Sequence, residues 1–132
     1  MHSRSAQFVW GFLLASCTAL SGCSRGDRPP LGYVSGRVLI DGDPLVGAIV
    51  IFQPTVGRAA QAQTDANGRY ELTYLDGAKG AKVGTNRVAL TWPLDYDGGQ
   101  AIPARYSGDK SELVREVQKG RNAFDFELES AP

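Results

Sequence analysis

From Tyr33 onward glycine, aspartate, asparagine and proline cut the chain into short runs, and most of them alternate apolar and polar residues with a period of two. That period places every second side chain on one face of a strand, and few folds other than layered sheets can use it repeatedly. In the first run Val34, Val38 and Ile40 share a face, with Ser35, Arg37 and Asp41 opposite. Asp41-Gly42-Asp43-Pro44 reads as a turn. Ala48 to Gln53 is apolar on both faces, as a central strand would be. Gln61 to Thr64 leads into Asp65-Ala66-Asn67-Gly68, whose Asn-Gly pair signals a hairpin. Arg69 to Leu75 then sets Tyr70, Leu72 and Tyr74 against Arg69, Glu71 and Thr73. Further on, Val88, Leu90 and Trp92 alternate with Arg87, Ala89 and Thr91. The last run sets Phe124, Phe126 and Leu128 against Asp125 and Glu127.

Ser111 to Gln118 fits two readings. Leu113, Val114 and Val117 have helical spacing, with Ser111 in place for an N-cap. As a strand, Leu113 and Val117 would share their face with Arg115, which suits only a sheet edge; the surrounding strands favour this reading. About seven short strands at roughly 8–12-residue spacing predict an all-β sandwich. A core of about 100 residues can sustain one without disulfides.

The N-terminus does not belong to that pattern. Residues 1–7 are polar, with Arg4 and His2, and Phe8 to Leu20 then runs without a charge. Thirteen residues are too few to cross a hydrocarbon core of about 30 Å. They match the apolar segment of a secretory signal behind a weakly basic start. Leu20-Ser21-Gly22-Cys23 follows directly and resembles the bacterial lipobox. The resemblance implies cleavage between Gly22 and Cys23, a diacylglyceryl group on the Cys23 thiol, and acylation (by palmitate, for example) of its new amine. Small side chains at Ser21 and Gly22 suit peptidase access, and the thiol is the natural nucleophile. Each buried CH₂ adds about 0.8 kcal/mol, so several acyl chains hold a protein where one would not. Residues 1–22 are thus expected to be a lipoprotein signal peptide, 23–32 a lipidated N-terminus and tether, and 33–130 the domain. The product would be exported and membrane-anchored, at the outer membrane or its periplasmic face, the first assignment following from Ser24 by analogy with the envelope sorting rule.

Cysteine usage agrees. Cys17 lies in the apolar run and would leave with it, so Cys23 alone remains and no internal disulfide can form. From Cys23 onward thirteen Lys/Arg face fourteen Asp/Glu, interspersed along the chain. No basic stripe marks a nucleic-acid surface, and nucleic acid is not an expected partner.

Two longer motifs carry a second resemblance. Gly36-Arg37-Val38 with Asp41-Gly42-Asp43-Pro44-Leu45-Val46-Gly47-Ala48-Ile49-Val50 resembles the opening of carboxypeptidase regulatory-like domains. Thr64-Asp65-Ala66-Asn67-Gly68-Arg69-Tyr70 resembles their second hallmark, a Thr-Asp-x-x-Gly followed by an aromatic residue. Ile102 to Tyr106 and Gly120 to Phe126 are similar to the closing portion of small lipoproteins of this kind from planctomycete-like bacteria. The resemblance covers roughly Val34 to Leu128 and implies a seven-stranded Greek-key sandwich of the transthyretin-like (prealbumin-like) type. Asn86 departs from it, standing where the family often has an aromatic residue. The motifs also have a purely conformational reading. Gly42, Gly47 and Gly68 stand where turns need positive φ or close approach, and Asp65 can close an Asx-turn.

The chemistry available is narrow. His2 is the only histidine and would leave with the signal, removing the usual general base and zinc ligand. Enzymes of similar fold, the hydroxyisourate hydrolases and intradiol dioxygenases, imply active-site histidines that the mature chain cannot supply. Asp95 with Asp97 and Asp41 with Asp43 read as solvated turn residues rather than a glycosidase pair. Asp65 to Gly68 begins like a calcium loop but lacks the rest of that pattern. No catalytic residue, metal or cofactor is expected. The one candidate ligand platform is Trp92 with Tyr96, flanking a loop, and the alternative is that Trp92 ends a strand and caps the core. The sequence therefore predicts a non-catalytic envelope module, held to the membrane by Cys23, with an envelope protein or a glycan as partner.

Overall fold

The computed structural model describes residues 29–96 and 99–130. Among them the chain forms two β-sheets and no α-helix. The first sheet is organised around β1 (Leu31–Ile40), its longest strand. Along one edge β1 meets β6 (Ala81–Lys82), β5 (Arg69–Glu71) and β2 (Asp43–Pro44) in succession, all antiparallel. Along the other it runs parallel to β9 (Gly120–Ala123) and then β10 (Phe126–Leu128). Gly32 opposite Gly120 and Ile40 opposite Leu128 keep a single register along the whole length. The second sheet is antiparallel, in the order β4 (Ala60–Gln63), β3 (Ile49–Pro54), β7 (Gly84–Thr91), β8 (Leu113–Val117).

The period-two pattern decides which faces meet. Val34, Val38 and Ile40 of β1, Val50 and Phe52 of β3, Val88 and Leu90 of β7, and Phe126 and Leu128 of β10 are all buried together. Phe52 of the second sheet lies 6.5 Å from Tyr70 and 6.4 Å from Phe126 of the first, ring centre to ring centre. Such aromatic contacts add to the burial of large apolar area. β3 is central in its sheet, as its two apolar faces require.

The first strand begins two residues before Tyr33, because Leu31 and Gly32 already pair with Lys82 and Ala81. Ten strand segments are present among the described residues, counting the short pairings at Asp43–Pro44 and Ala81–Lys82 and the two pieces of the C-terminal run. The break falls at Phe124 and Asp125, where the backbone of β1 comes very close. A Cβ on Gly36 would lie 1.9 Å from the Phe124 carbonyl oxygen, so only glycine fits. The Asn67-Gly68 turn does not close a ladder between its flanking strands. β4 and β5 enter different sheets, and an isolated bridge joins Gln61 of β4 to Thr73, beyond the end of β5. The segment is an arch between layers whose turn chemistry is that of a hairpin.

The ambiguous segment is a strand, and it lies at an edge. β8 pairs only with β7, which leaves room for Arg115 on the inner face beside Leu113 and Val117. Ser111 does not cap a helix. Its hydroxyl donates to the Val88 carbonyl and accepts the Leu113 N–H at 3.2 Å. Asn86 is fully buried, and its amide donates to the carbonyls of Lys82 and Gly84, both at 3.0 Å. The amide thereby pins the bend into β7. The Asn86 Oδ1 has no hydrogen-bond partner.

Candidate functional site

β7 ends at Thr91, paired with Ile49, and the next residue is Trp92. Pro93 then turns the chain, closed by the Tyr96 N–H on the Pro93 carbonyl at 3.0 Å. This turn brings the rings of Tyr96 and Trp92 together, 5.0 Å between centroids and tilted by 34°. The indole N–H donates to the Gln100 carbonyl at 2.8 Å. Gly99 lies so close that a Cβ there would sit 2.4 Å from the indole ring. Trp92 is half-buried and packs against the core, as do Ile102 and Tyr106 nearby.

The two residues of the candidate platform are thus neighbours, but they are not equivalent. Trp92 anchors the loop: its donor is satisfied, and Gly99 and Tyr96 lie against its ring system. Tyr96 is 45% exposed and Leu94 is wholly exposed, so the outward surface is a phenol and an isobutyl group. Chemically this can stack on or cover an apolar face, with the Tyr96 hydroxyl as the polar handle. Leu94 and Gly99 were not legible as parts of it, since neither belongs to an alternating run.

Carboxylates elsewhere bind backbone N–H groups and neighbouring side chains. Asp65 Oδ1 accepts the N–H of Asn67 at 2.8 Å and of Arg69 at 2.9 Å, the Asx-turn expected at that position. These bonds, that from Arg69 first, hold its carboxyl below the ordinary aspartate range. Asp41 accepts from the hydroxyl and N–H of Ser130, which lowers it likewise. Glu71 accepts from the Tyr33 hydroxyl and pairs with Lys79 at 3.3 Å, and is lowered by both. Asp125 Oδ1 accepts the Arg37 N–H at 2.9 Å, filling the ladder position where β9 gives way to β10. Tyr70 donates its hydroxyl to the Phe124 carbonyl at 2.7 Å, and burial first, then the charge of Asp125, pushes it well above the usual phenol range.

Among the described residues no three His, Cys, Asp or Glu side chains gather closely enough to hold a metal ion. No described helix is long and apolar enough to cross a membrane. The segment 1–22 expected to be a signal, the expected cleavage pair Gly22 and Cys23, and Cys23 as the expected lipidation residue lie outside the described residues. A scan against models of known protein families returns no match, and a search of the curated proteins finds no similar sequence.

Proposed function

We propose that this chain is a non-catalytic, lipid-anchored module of the cell envelope, exported and held to a membrane through acylated Cys23. Its role in this reading is structural, adhesive or ligand-binding. The observation that carries it is a juxtaposition in the sequence and fold: Leu20-Ser21-Gly22-Cys23 directly follows an uncharged apolar run, and the first strand begins at Leu31. Residues 24–30 reach at most about 25 Å when extended, which keeps the domain beside the lipid.

For the fold we propose the Greek-key, transthyretin-like plan. β9 and β10 keep one register against β1 and count as one strand, and β2 and β6 are two-residue pairings. On that count the sandwich has seven strands, three in the first sheet and four in the second.

The test is Cys23→Ser in a cell that processes lipoproteins. The variant should stay uncleaved, carry no lipid and lose its lipid-dependent mobility shift. A variant that still acquires lipid would refute the anchor.

The paired rings of Trp92 and Tyr96 favour a second reading, a glycan-binding module whose contact surface is Tyr96 with Leu94. Tyr96→Ala would then abolish glycan retention without lowering the melting temperature. Unchanged retention would discard it.

A further inference from the structure

The two ends of the sandwich carry opposite charge. At the end where the chain enters β1, the register sets Lys82 beside Leu31 and Arg121 beside Tyr33. Lys119 occupies the turn before β9, and Arg58 the loop between β3 and β4. That loop is drawn to the same end, because the Lys82 ammonium donates to the Val56 carbonyl at 2.6 Å. Arg58, Lys119 and Arg121 are exposed, and none of these four cations has an ion-pair partner among the described residues. The carboxylates on this side are Asp76, Glu116, which accepts the Thr85 hydroxyl at 2.7 Å, and Glu71, which accepts the Tyr33 hydroxyl and is paired with Lys79.

At the far end, where β1, β4, β7 and β10 finish, the balance reverses. Asp41, Asp43, Asp65, Asp95, Asp109 and Glu129 are all exposed there, with Arg69, Arg105 and Lys110 as the cations. Interspersed charge along the sequence therefore becomes segregated charge in space.

We propose that the Leu31 end is a docking face for anionic phospholipid headgroups. The domain stands on the leaflet that holds its anchor, basic end down and acidic end outward. The proposal rests on the anchor at Cys23, and the anchor is what selects lipid among anionic partners: residues 24–30 hold this end within about 25 Å of the bilayer. A basic side chain near an anionic leaflet raises partitioning roughly five-fold, and the attraction fades over a screening length of about 8 Å in physiological salt. Several such side chains on one end orient a tethered body. The acidic end is repelled by the same field.

The test uses the mature lipidated protein in vesicles, labelled through Val56→Cys or Leu94→Cys. Both sites are highly exposed, at opposite ends, and acylated Cys23 leaves no competing thiol. Nitroxide headgroup lipids should quench the label at 56 several-fold more than at 94 in phosphatidylglycerol vesicles. The difference should shrink in pure phosphatidylcholine, in high salt, and in the variant combining Arg58→Gln, Lys82→Gln, Lys119→Gln and Arg121→Gln. Protein that floats with both kinds of vesicle but shows equal quenching at 56 and 94 would overturn the docking face and leave the anchor standing. Protein that floats with neither would overturn the anchor, and the orientation with it. A label at 56 that ignores lipid charge but is shielded by added anionic polysaccharide would assign this end to a glycan and overturn the lipid.

Discussion

The guanidinium of Arg115 lies over the ring of Phe126, 4.7 Å from its centroid. The contact joins the edge strand of one sheet to the last strand of the other, and it explains how a charged residue can point inward from β8. Phe126 is also in ring contact with Phe52 and Tyr70. Phe126→Ala should therefore cost about 3–5 kcal/mol, as expected for emptying a large core site. Arg115→Ala should cost about 1 kcal/mol, and a double-mutant cycle with Phe126→Leu should show coupling. Denaturant melts measure both. If Phe126→Ala and Asp125→Ala had equal, small effects, the C-terminal strand would be a partner-recruiting edge rather than core.

Asp125 and Glu127 both point outward, yet they should not respond alike. Asp125 accepts the Arg37 N–H at the break between β9 and β10. Asp125→Ala should cost about 0.5–1.5 kcal/mol, while Glu127→Ala should stay within about 0.5 kcal/mol. Asp125→Asn, which retains an acceptor, should recover most of the loss in the same chemical melts.

Gly68 has φ +76, and a Cβ there would meet the Val38 carbonyl oxygen at 2.6 Å. Gly68→Val adds both strain and a backbone clash in the arch between sheets, and should cost at least about 1–3 kcal/mol. A melting temperature unchanged within error would mean that the arch is built differently.

Stability should fall in acid, for a reason that can be assigned. Asp41, Asp65 and Glu71 all have folded-state carboxyls held below their ordinary range. The unfolded chain then binds protons first as pH drops. Their contribution is present above about pH 4–5 and is lost as pH falls through the depressed folded values. Thermal melts from neutral to acid pH should show that decline, and Asp65→Asn should make it shallower.

How much of this was legible in the sequence depends on the range of the interaction. Period-two alternation placed Val34, Val38, Ile40, Phe126 and Leu128 in the core, because that signal is written in adjacent residues. Turn chemistry at Asp65 and Gly68 was legible for the same reason. The sheet to which each strand belongs was not: Asn67-Gly68 has the local form of a hairpin, but its flanking strands part into two layers. Ser111 to Gln118 could not be resolved from spacing alone, since a helix and an edge strand both bury Leu113 and Val117. The choice was made by Arg115 reaching Phe126, a partner eleven residues away in sequence. At the candidate platform Trp92 and Tyr96 could be paired from the loop between them, whereas Gly99 beneath the indole could not. The segregation of charge between the two ends was likewise invisible until the strands were aligned.

The parallel register between β1 and the C-terminal strands also has a mechanical consequence. β1 is entered at Leu31, and β10 is left at Leu128, at the opposite end of the same interface. A tension applied between the chain before Leu31 and the chain after Leu128 would pull these strands past each other lengthwise. The backbone hydrogen bonds along β1 would then share the load together instead of opening one after another like a zip. A domain connected in this way resists being pulled open from its termini far better than its equilibrium stability alone would suggest.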